Sequence, residues 1–517
     1  MDAKVEKKKT GGFTKFINGV EKVGNKLPHP FFLFTYLCII IAVLSILLAG
    51  TQVAYTAANS DGTTTEVVSE VVNLISPKYI QGILKDWVKI YTNFSPLGLV
   101  MVMMLAIGFA QETGVFDSVM RKTLLGAPAA IVTFVLATVG VCSNVASSSC
   151  VVLGVTIGAA LFKALGRNPI LGALTGYTAA HGGFSANLLP AGTDVNLSGI
   201  TETVCKAFGI TAPTHALINY IFMAAATIAT ALAVTFVTEK IMPGVVKYGS
   251  EQKEINNHLT DDERRGLRWC GIGFVIYVVI ILALTLPKNS FFRNADGKIL
   301  PSSPLISCIV PILFFLFMIL GLTYGYGAKT ITKMSDIPKY MGKGIQGVIS
   351  FLVMALPAAI FIQMFSDSNL AVLLAVKGST FLQSIGLSGV LLAVCFVILC
   401  GFCNLFMTSA AAKWLVFAPV FVPMFFQMGF TPALTQLCYR IGDSFTNCIA
   451  PINAYLPIAL GVINSYRAKD DPEMGLGTLI SMTLPYSIAI GIAQILLLVI
   501  FMLFNLPIGP GTPLFVR

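Results

Sequence analysis

Charge is scarce in this sequence. Asp, Glu, Lys and Arg make up 11% of its 517 residues, and 56% are hydrophobic. Soluble domains carry about 25% charged residues, so the ordinary globular class is excluded. Polar stretches reach only about 30 to 40 residues, too short for a soluble domain. Histidine (four) and tryptophan (three) are rare. There is no HExxH, no GxSxG and no paired catalytic constellation. A hydrolase built on Ser147 would need a base that its neighbours do not supply, so the chain does not read as an enzyme. Of eleven cysteines, Cys38, Cys142, Cys308, Cys395 and Cys400 lie in apolar runs, and Cys400 and Cys403 form CxxC only within hydrophobic sequence. They read as small buried hydrophobes, not as a disulfide framework or metal site. The net charge of +10 sits largely in Met1–Lys26 and in short loops. There it sets membrane orientation and does not point to nucleic acid.

What the chain has is apolar runs of roughly 20 residues, each long enough to span a bilayer. The fold class is therefore an all-α polytopic membrane protein. The first run begins near Pro30, after a long polar leader, and is too long for a signal-peptide core. In the leader, Phe13, Phe16, Ile17, Val20 and Val23 recur at helical spacing, with Lys15, Lys22 and Lys26 elsewhere. That predicts a helix on the cytoplasmic membrane surface.

Two polar interruptions repeat. Ser143-Asn144-Val145-Ala146-Ser147-Ser148-Ser149 breaks one apolar stretch, and Cys403-Asn404-Leu405-Phe406-Met407-Thr408-Ser409 breaks another. A second break follows each, Gly182–Asn187 and Gly442–Asn447. Asn144 and Asn187 are 43 apart, as are Asn404 and Asn447, and the two pairs are offset by 260. Paired breaks at one spacing predict a transporter of two inverted repeats, with its site at the interruptions.

Treating the first break of each pair as a re-entrant hairpin, the positive-inside rule gives nine transmembrane helices and two hairpins. The expected spans are 30–50, 95–112, 168–188, 214–238, 269–287, 304–326, 344–366, 433–465 and 476–504. Hairpins lie at 126–164 and 388–428, entering from opposite faces, and a short helix lies at 369–386. A basic leader (1–29) precedes spans one and two (30–125) and a first repeat core (126–240) of hairpin, broken span and span four. A cytoplasmic loop (241–268) and spans five to seven (269–386) lead to the second repeat core (387–466) and a final span with the C-terminus (467–517). The N-terminus is cytoplasmic.

Asn144, Ser148, Ser149, Asn187, Asn404, Thr408, Ser409 and Asn447 offer hard oxygens and half-helix N-termini, suited to Na+ or to substrate carboxylates. The Na+ candidates are Asn144, Asn187, Asn404 and Asn447. The plainer alternative is small residues packing helix on helix. Asp194, Arg440 and Asp443 are ionisable residues at the second breaks. A charge at membrane depth costs roughly 2.5–3.5 kcal/mol, so such groups pair or line a cavity. Arg440 can hold a carboxylate bidentately. Asp443 can be its partner or an ion or proton site, and Asp194 can equally be a loop carboxylate. Trp414, with Pro419, Pro423 and Pro432 nearby, either anchors at the interface or stacks on an aromatic ligand. Lys413 beside it either snorkels outward or faces the cavity. His181 is a candidate proton relay.

Several stretches resemble the AbgT family, the p-aminobenzoyl-glutamate transporters. They are Gly24–Pro30, Gly182–Asn187 with Thr193-Asp194 and Ser198–Thr201, and Tyr439–Ser444 with Thr446-Asn447 and Pro451. Gly475–Ile480, Leu484–Ser487 and Leu506–Gly511 extend the likeness over essentially the whole chain. The resemblance implies a homodimer, nine transmembrane helices and two hairpins per protomer, an aqueous basin facing the cytoplasm, and an elevator-like or related alternating-access cycle. It also implies uptake of p-aminobenzoyl-glutamate or efflux of sulfonamide antimetabolites, driven by ion gradients. The family's important Asp, Trp, Pro and Arg match Asp194, Trp414, Pro432 and Arg440, with Asp443 alongside. The chain departs from the family at Ser147–Cys150, where an acidic residue and a Gly-Tyr pair are common. It departs again at Lys413, where a neutral polar residue is common.

The expected function is secondary active transport, symport or antiport, of p-aminobenzoyl-glutamate or a related aromatic carboxylate across the bacterial inner membrane. Na+ or H+ is the coupling ion. The alternatives are a sulfonamide exporter of the same fold and a Na+-coupled carrier of another dicarboxylate or amino acid.

Overall fold

The computed structural model describes residues 28, 30–58, 64–125, 131–146, 149–246, 259–299, 303–346, 349–407, 409–451, 453, 455–467 and 474–516. The leader helix expected around Phe13–Val23 lies outside them, as do Ser147, Ser148 and Thr408.

The first apolar run forms α1 (Pro30–Leu47). The polar segment after it is not helical throughout. It makes an antiparallel ribbon of β1 (Gln52–Ala58) and β2 (Thr64–Glu70), with Gln52 opposite Glu70. Thr and Val make up four of the seven residues of β2, and β1 carries Val53, Tyr55 and Thr56, residue types that favour pleated surfaces. The short helices α2 (Pro77–Lys85) and α3 (Trp87–Thr92) follow, then α4 (Ser95–Thr113) and α5 (Val115–Leu125). Gly114, at φ 88°, allows the 60° bend between the last two.

The first hairpin is α6 (Val132–Cys142), a 3-10 turn at Ser143–Ala146, and α7 (Ser149–Ala164). Its open end is tied together. Arg167, just past α7, donates to Thr133 Oγ1 at 2.8 Å and pairs with Glu239 at 2.7 Å. Next comes α8 (Pro169–Gly182), which breaks at a 3-10 turn over Gly183–Ser185. The chain then continues as α9 (Gly192–Ala207), where the sequence suggested a short outer loop. Polarity hid this helix, since it reads GTDVNLSGITETVCKA. Asp194, Ser198 and Thr201 on it are all buried.

Helices α10 (Tyr220–Phe236), continued by a π turn to Ile241, α11 (Met242–Val245), α12 (Asp261–Ala283), α13 (Pro304–Ser307) and α14 (Ile309–Gly327) follow. A Thr260–Glu263 capping box starts α12 eight residues before the expected span. Then come α15 (Asp336–Gln346), α16 (Ile349–Asp367) and α17 (Leu370–Ser384). The second hairpin is α18 (Gly389–Asn404) and α19 (Ala410–Gln427), joined across its arms by Phe396. That ring lies 4.6 Å from Phe421 and 4.9 Å from Phe425 between centroids. The second broken span is α20 (Pro432–Thr446), a turn at Asn447–Ile449, and α21 (Leu456–Ser465); α22 (Leu476–Leu503) ends the bundle. Both broken spans begin alike, with a polar cap before a proline. Asn168 caps α8 and Thr431 caps α20.

Six described helices are long and apolar enough to cross a bilayer, and up to nine spans result if three sharply bent pairs each count as one. Helices such as α12 expose Ile272, Val275, Ile276 and Val279. Helices with closed backbone hydrogen bonding and apolar outer faces suit lipid, not water. The main core lies among the two hairpins, the two broken spans, α10 and α22. A smaller cluster of α4, α12 and α14 includes Ala191 and Val195, and Phe116 packs against both clusters.

Glycine sets the closest approach in the first repeat. Gly154 and Gly158 on α7 face Gly176 and Gly172 on α8. A Cβ on Gly172 would come within 2.7 Å of the Gly158 carbonyl carbon and 2.8 Å of Phe162. Backbone cannot yield cheaply there. Gly172→Val is expected to abolish monodisperse protein in fluorescence-detected size-exclusion chromatography. Gly461→Ala, where a Cβ meets nothing within 4 Å, should elute as wild type. A normal profile for Gly172→Val would refute this account of the α7–α8 contact.

Candidate functional site

The four breaks converge on a buried polar centre that holds four ionisable side chains. Asp194 and Arg440 are each 3% exposed, Asp443 is 4% exposed and Lys413 is fully buried. Asp194 stands at the start of α9, where its Oδ2 accepts the Ala191 N–H at 2.6 Å. Its Oδ1 pairs with Arg440 Nη2 at 2.6 Å. The same Nη2 donates to the Phe184 carbonyl at 2.9 Å, in the break of the first repeat. Arg440, a residue of the second repeat, is thus held by two groups of the first. Its Nε is buried and makes no hydrogen bond among the described residues. Asp194 is therefore no loop carboxylate, and the partner of Arg440 is Asp194 and not Asp443.

Asp443 is paired with Lys413 instead. The Lys413 ammonium also donates to Asn404 Oδ1 and, at 2.7 Å, to the Met407 carbonyl. Of the two positions open to Lys413, snorkelling outward is the one the structure overturns. The chain near Lys413 lies inside the hairpin tip, where water is not available to the ammonium. Asn404 Nδ2 lies 2.7 Å from the Asp443 carbonyl, 2.9 Å from Thr446 Oγ1 and 2.8 Å from Asn447 Oδ1.

Trp414 is fully buried and does not anchor at an interface. Its ring stacks on Tyr439 at 4.7 Å, and its indole N–H donates to Thr201 Oγ1 at 2.9 Å. Thr201 continues to Gln436 at 2.5 Å, and Gln436 to Asn219 at 2.9 Å. One ring face is thus already covered by protein, so Trp414 joins the hairpin to α9 and α20. Pro432 opens α20 two turns before Arg440 and acts there as a helix start. Asn187 accepts the Leu189 N–H at 3.2 Å and closes its own turn. Asn144 donates to the Val141 and Ala180 carbonyls at 3.0 and 2.9 Å. Ser409 caps α19 by accepting the Ala412 N–H at 3.3 Å. Ser149 begins α7. His181 lies buried against Tyr177, with Nε2 3.3 Å from Asn453 Nδ2.

Three of the four Na+ candidates already use a side-chain oxygen in a hydrogen bond, and an amide oxygen keeps a second lone pair. The side-chain oxygens of Asn187, Asn404 and Asn447 each already receive a hydrogen bond, from Leu189 N–H, the Lys413 ammonium and Asn404 Nδ2. Among the described residues no cluster of three His, Cys, Asp or Glu side chains offers a metal site.

Sequence reasoning missed a second network. Ser185 and Ser444 meet at 2.6 Å, and both donate to Gln494 Oε1, at 2.8 and 3.0 Å. Gln494 Nε2 reaches Thr230 at 2.9 Å. Gln494 is an isolated polar residue deep in the apolar run of α22. Asking every such residue for a partner would have flagged it.

Two cavities are lined by residues other than the four ionisable side chains. One of about 290 Å³ reaches Cys142, Ser143 and the Leu188–Leu189 loop that leads to Asp194. Another of about 920 Å³ lies among α2, α3, α9 and α16, with Lys78, Lys89 and Lys206 in its wall.

Comparison with known proteins matches residues 15–516 to the model of the AbgT transporter family. The p-aminobenzoyl-glutamate transport protein of Escherichia coli K12 is 33% identical over 498 residues, 96% of each chain. Among solved structures, MtrF of Neisseria gonorrhoeae, described with a class of antimetabolite efflux pumps, superposes with a TM-score of 0.88 at 34% identity. It covers 96% of this chain and all of its own. The YdaH transporter of Alcanivorax borkumensis gives 0.86 at 30% identity, over 93% of this chain and all of its own.

Breaking a buried ion pair leaves an uncompensated charge, which costs about 3–5 kcal/mol. Asp194→Asn is expected to lower the melting temperature of the detergent-solubilised protein sharply. The double variant Asp194→Leu/Arg440→Met should lose less than the sum of its two single variants. Strict additivity in that cycle would show that the two groups are not coupled.

Proposed function

The chain belongs to the AbgT family of multi-pass membrane transporters, and we propose that it is a secondary active carrier of p-aminobenzoyl-glutamate or a related aromatic carboxylate. Arg440 carries this reading. It is a buried guanidinium at the meeting point of both repeats, with an Nε that no group among the described residues uses. A planar cation with spare donors in a dry site is the group best suited to a carboxylate. Asp194 holds it in place until an anionic substrate competes for it.

The protein resides in a bacterial inner membrane as a homodimer with a cytoplasmic N-terminus, and an ion gradient drives it. Support comes from the basic leader, the Lys- and Arg-rich loops and the likeness to the Escherichia coli protein. The aromatic end of the substrate does not stack on Trp414 in this state, because the indole is fully buried, with one face on Tyr439.

A second reading, export of sulfonamide antimetabolites, is favoured by the likeness to MtrF over nearly the full chain. The two directions separate in cells. Raised intracellular sulfonamide in cells lacking the protein supports export. Impaired rescue of a p-aminobenzoate auxotroph by p-aminobenzoyl-glutamate supports uptake.

Proteoliposomes loaded with the purified protein should take up labelled p-aminobenzoyl-glutamate under an imposed Na+ or H+ gradient, tested separately. A hydrogen bond to a charged group contributes about 1.5–3 kcal/mol, so Arg440→Ala should cut kcat/KM roughly ten- to a hundredfold. Arg440→Lys should not restore it, since an ammonium lacks the fork. Unchanged apparent affinity in Arg440→Ala would remove the assignment.

A further inference from the structure

A lysine is an odd occupant of the second hairpin tip. Lys413 lies in the first turn of α19, whose N-cap is Ser409. A positive charge there opposes the helix macrodipole. Its own helix therefore does not explain why it is buried, and the groups facing it must.

Those groups are three oxygens from three sources: Asn404 Oδ1, the Met407 carbonyl and the Asp443 carboxylate. All are hard donors of the kind that strip water from a monovalent cation. Much of the cage is fixed without Lys413. The two Asn404 Nδ2 hydrogens face the Asp443 carbonyl, Thr446 Oγ1 and Asn447 Oδ1, which turns Oδ1 away from them and toward the ammonium. Met407 lies in the turn that also holds Asn404, since its N–H donates to the Cys403 carbonyl at 3.2 Å.

The first repeat has no equivalent. At the repeat offset of 260, the counterpart of Asp443 is Gly183 and that of Lys413 is Leu153. A Cβ on Gly183 would come within 2.5 Å of the Val141 carbonyl oxygen and 2.9 Å of Val141 Cα, so no carboxylate fits there. Charge balance points the same way. Arg440 and Asp194 neutralise each other, which leaves Asp443 with Lys413 as its sole counter-charge among the described residues.

We propose that the second hairpin tip is a monovalent-cation cage, built from Asn404, Met407 and Asp443, whose cation is the tethered Lys413 ammonium. An exchangeable Na+ or K+ has no place in this cage while Lys413 is present. Removing the ammonium leaves Asp443 buried and uncompensated, and a mobile cation then takes its place. Within the transport reading, the coupling ion is bound elsewhere. The cage itself does not depend on that reading, and its test measures cation binding and not transport.

The test uses full-length protein in detergent, with melting temperature followed during NaCl or KCl titration at ionic strength held constant with choline chloride. Wild type should not respond. Lys413→Ala should show a saturable rise of several degrees with NaCl, KCl or both, the signature of a ligand that binds the folded state. Lys413→Ala/Asp443→Asn should lose that rise, because it no longer carries the charge that attracts the cation. Three results would overturn the proposal. One is a folded Lys413→Ala that is indifferent to both salts. Another is a wild-type response that Asp443→Asn abolishes. The last is failure of Lys413→Ala to fold in either salt, since a mobile cation must be able to restore the site. Transport that fails while these titrations succeed would count against the carrier assignment alone.

Discussion

Four ionisable side chains share one interior from which water is excluded, and the structure must pair every one. An isolated charge in such a place costs several kcal/mol, and pairing offsets this only when the geometry is good and the remaining hydrogen-bonding positions are filled. Here Arg440 meets Asp194 and Lys413 meets Asp443. The first pair crosses between the repeats, while the second stays within one. The helix breaks exist where these pairs need them. Asp194 reaches Arg440 from the start of α9, and Phe184 offers a carbonyl to it because α8 has ended.

Backbone symmetry and chemical symmetry part company at this centre. Asn144 and Asn404 do the same work in their repeats, each donating across to the following broken span. Their surroundings differ. Ala180 and Gly183 stand at the counterparts of Arg440 and Asp443, and Gly154 stands at the counterpart of Trp414. The first repeat uses these positions for close backbone contact. The second uses them for charge and for an indole that links three helices through Thr201 and Gln436.

The uncharged networks make the centre stiff. Gln494 gathers Ser185, Ser444 and Thr230, so α22 and α10 are tied to both breaks. These bonds and the Arg440–Phe184 contact join the same two segments, the break after α8 and α20.

Composition alone made this a membrane protein, because so little charge in so long a chain leaves no water-facing surface to build. The 260-residue offset exposed the repeat, and the asparagines marked where helices break, since an amide at that depth must bond to something. Arg440, Asp443 and Asp194 stood out for the same reason. Partnership was beyond the sequence. Nothing local tells Arg440 to choose Asp194 over Asp443, three residues away on its own helix, or tells Lys413 to turn inward. Nor could hydropathy find α9, whose buried Asp194 and Thr201 find partners in Arg440 and Gln436, more than 200 positions away. Burial cost is a property of a residue and its depth, and so is legible in order along the chain. Pairing is a property of two residues brought together by the fold, and only tertiary structure decides it.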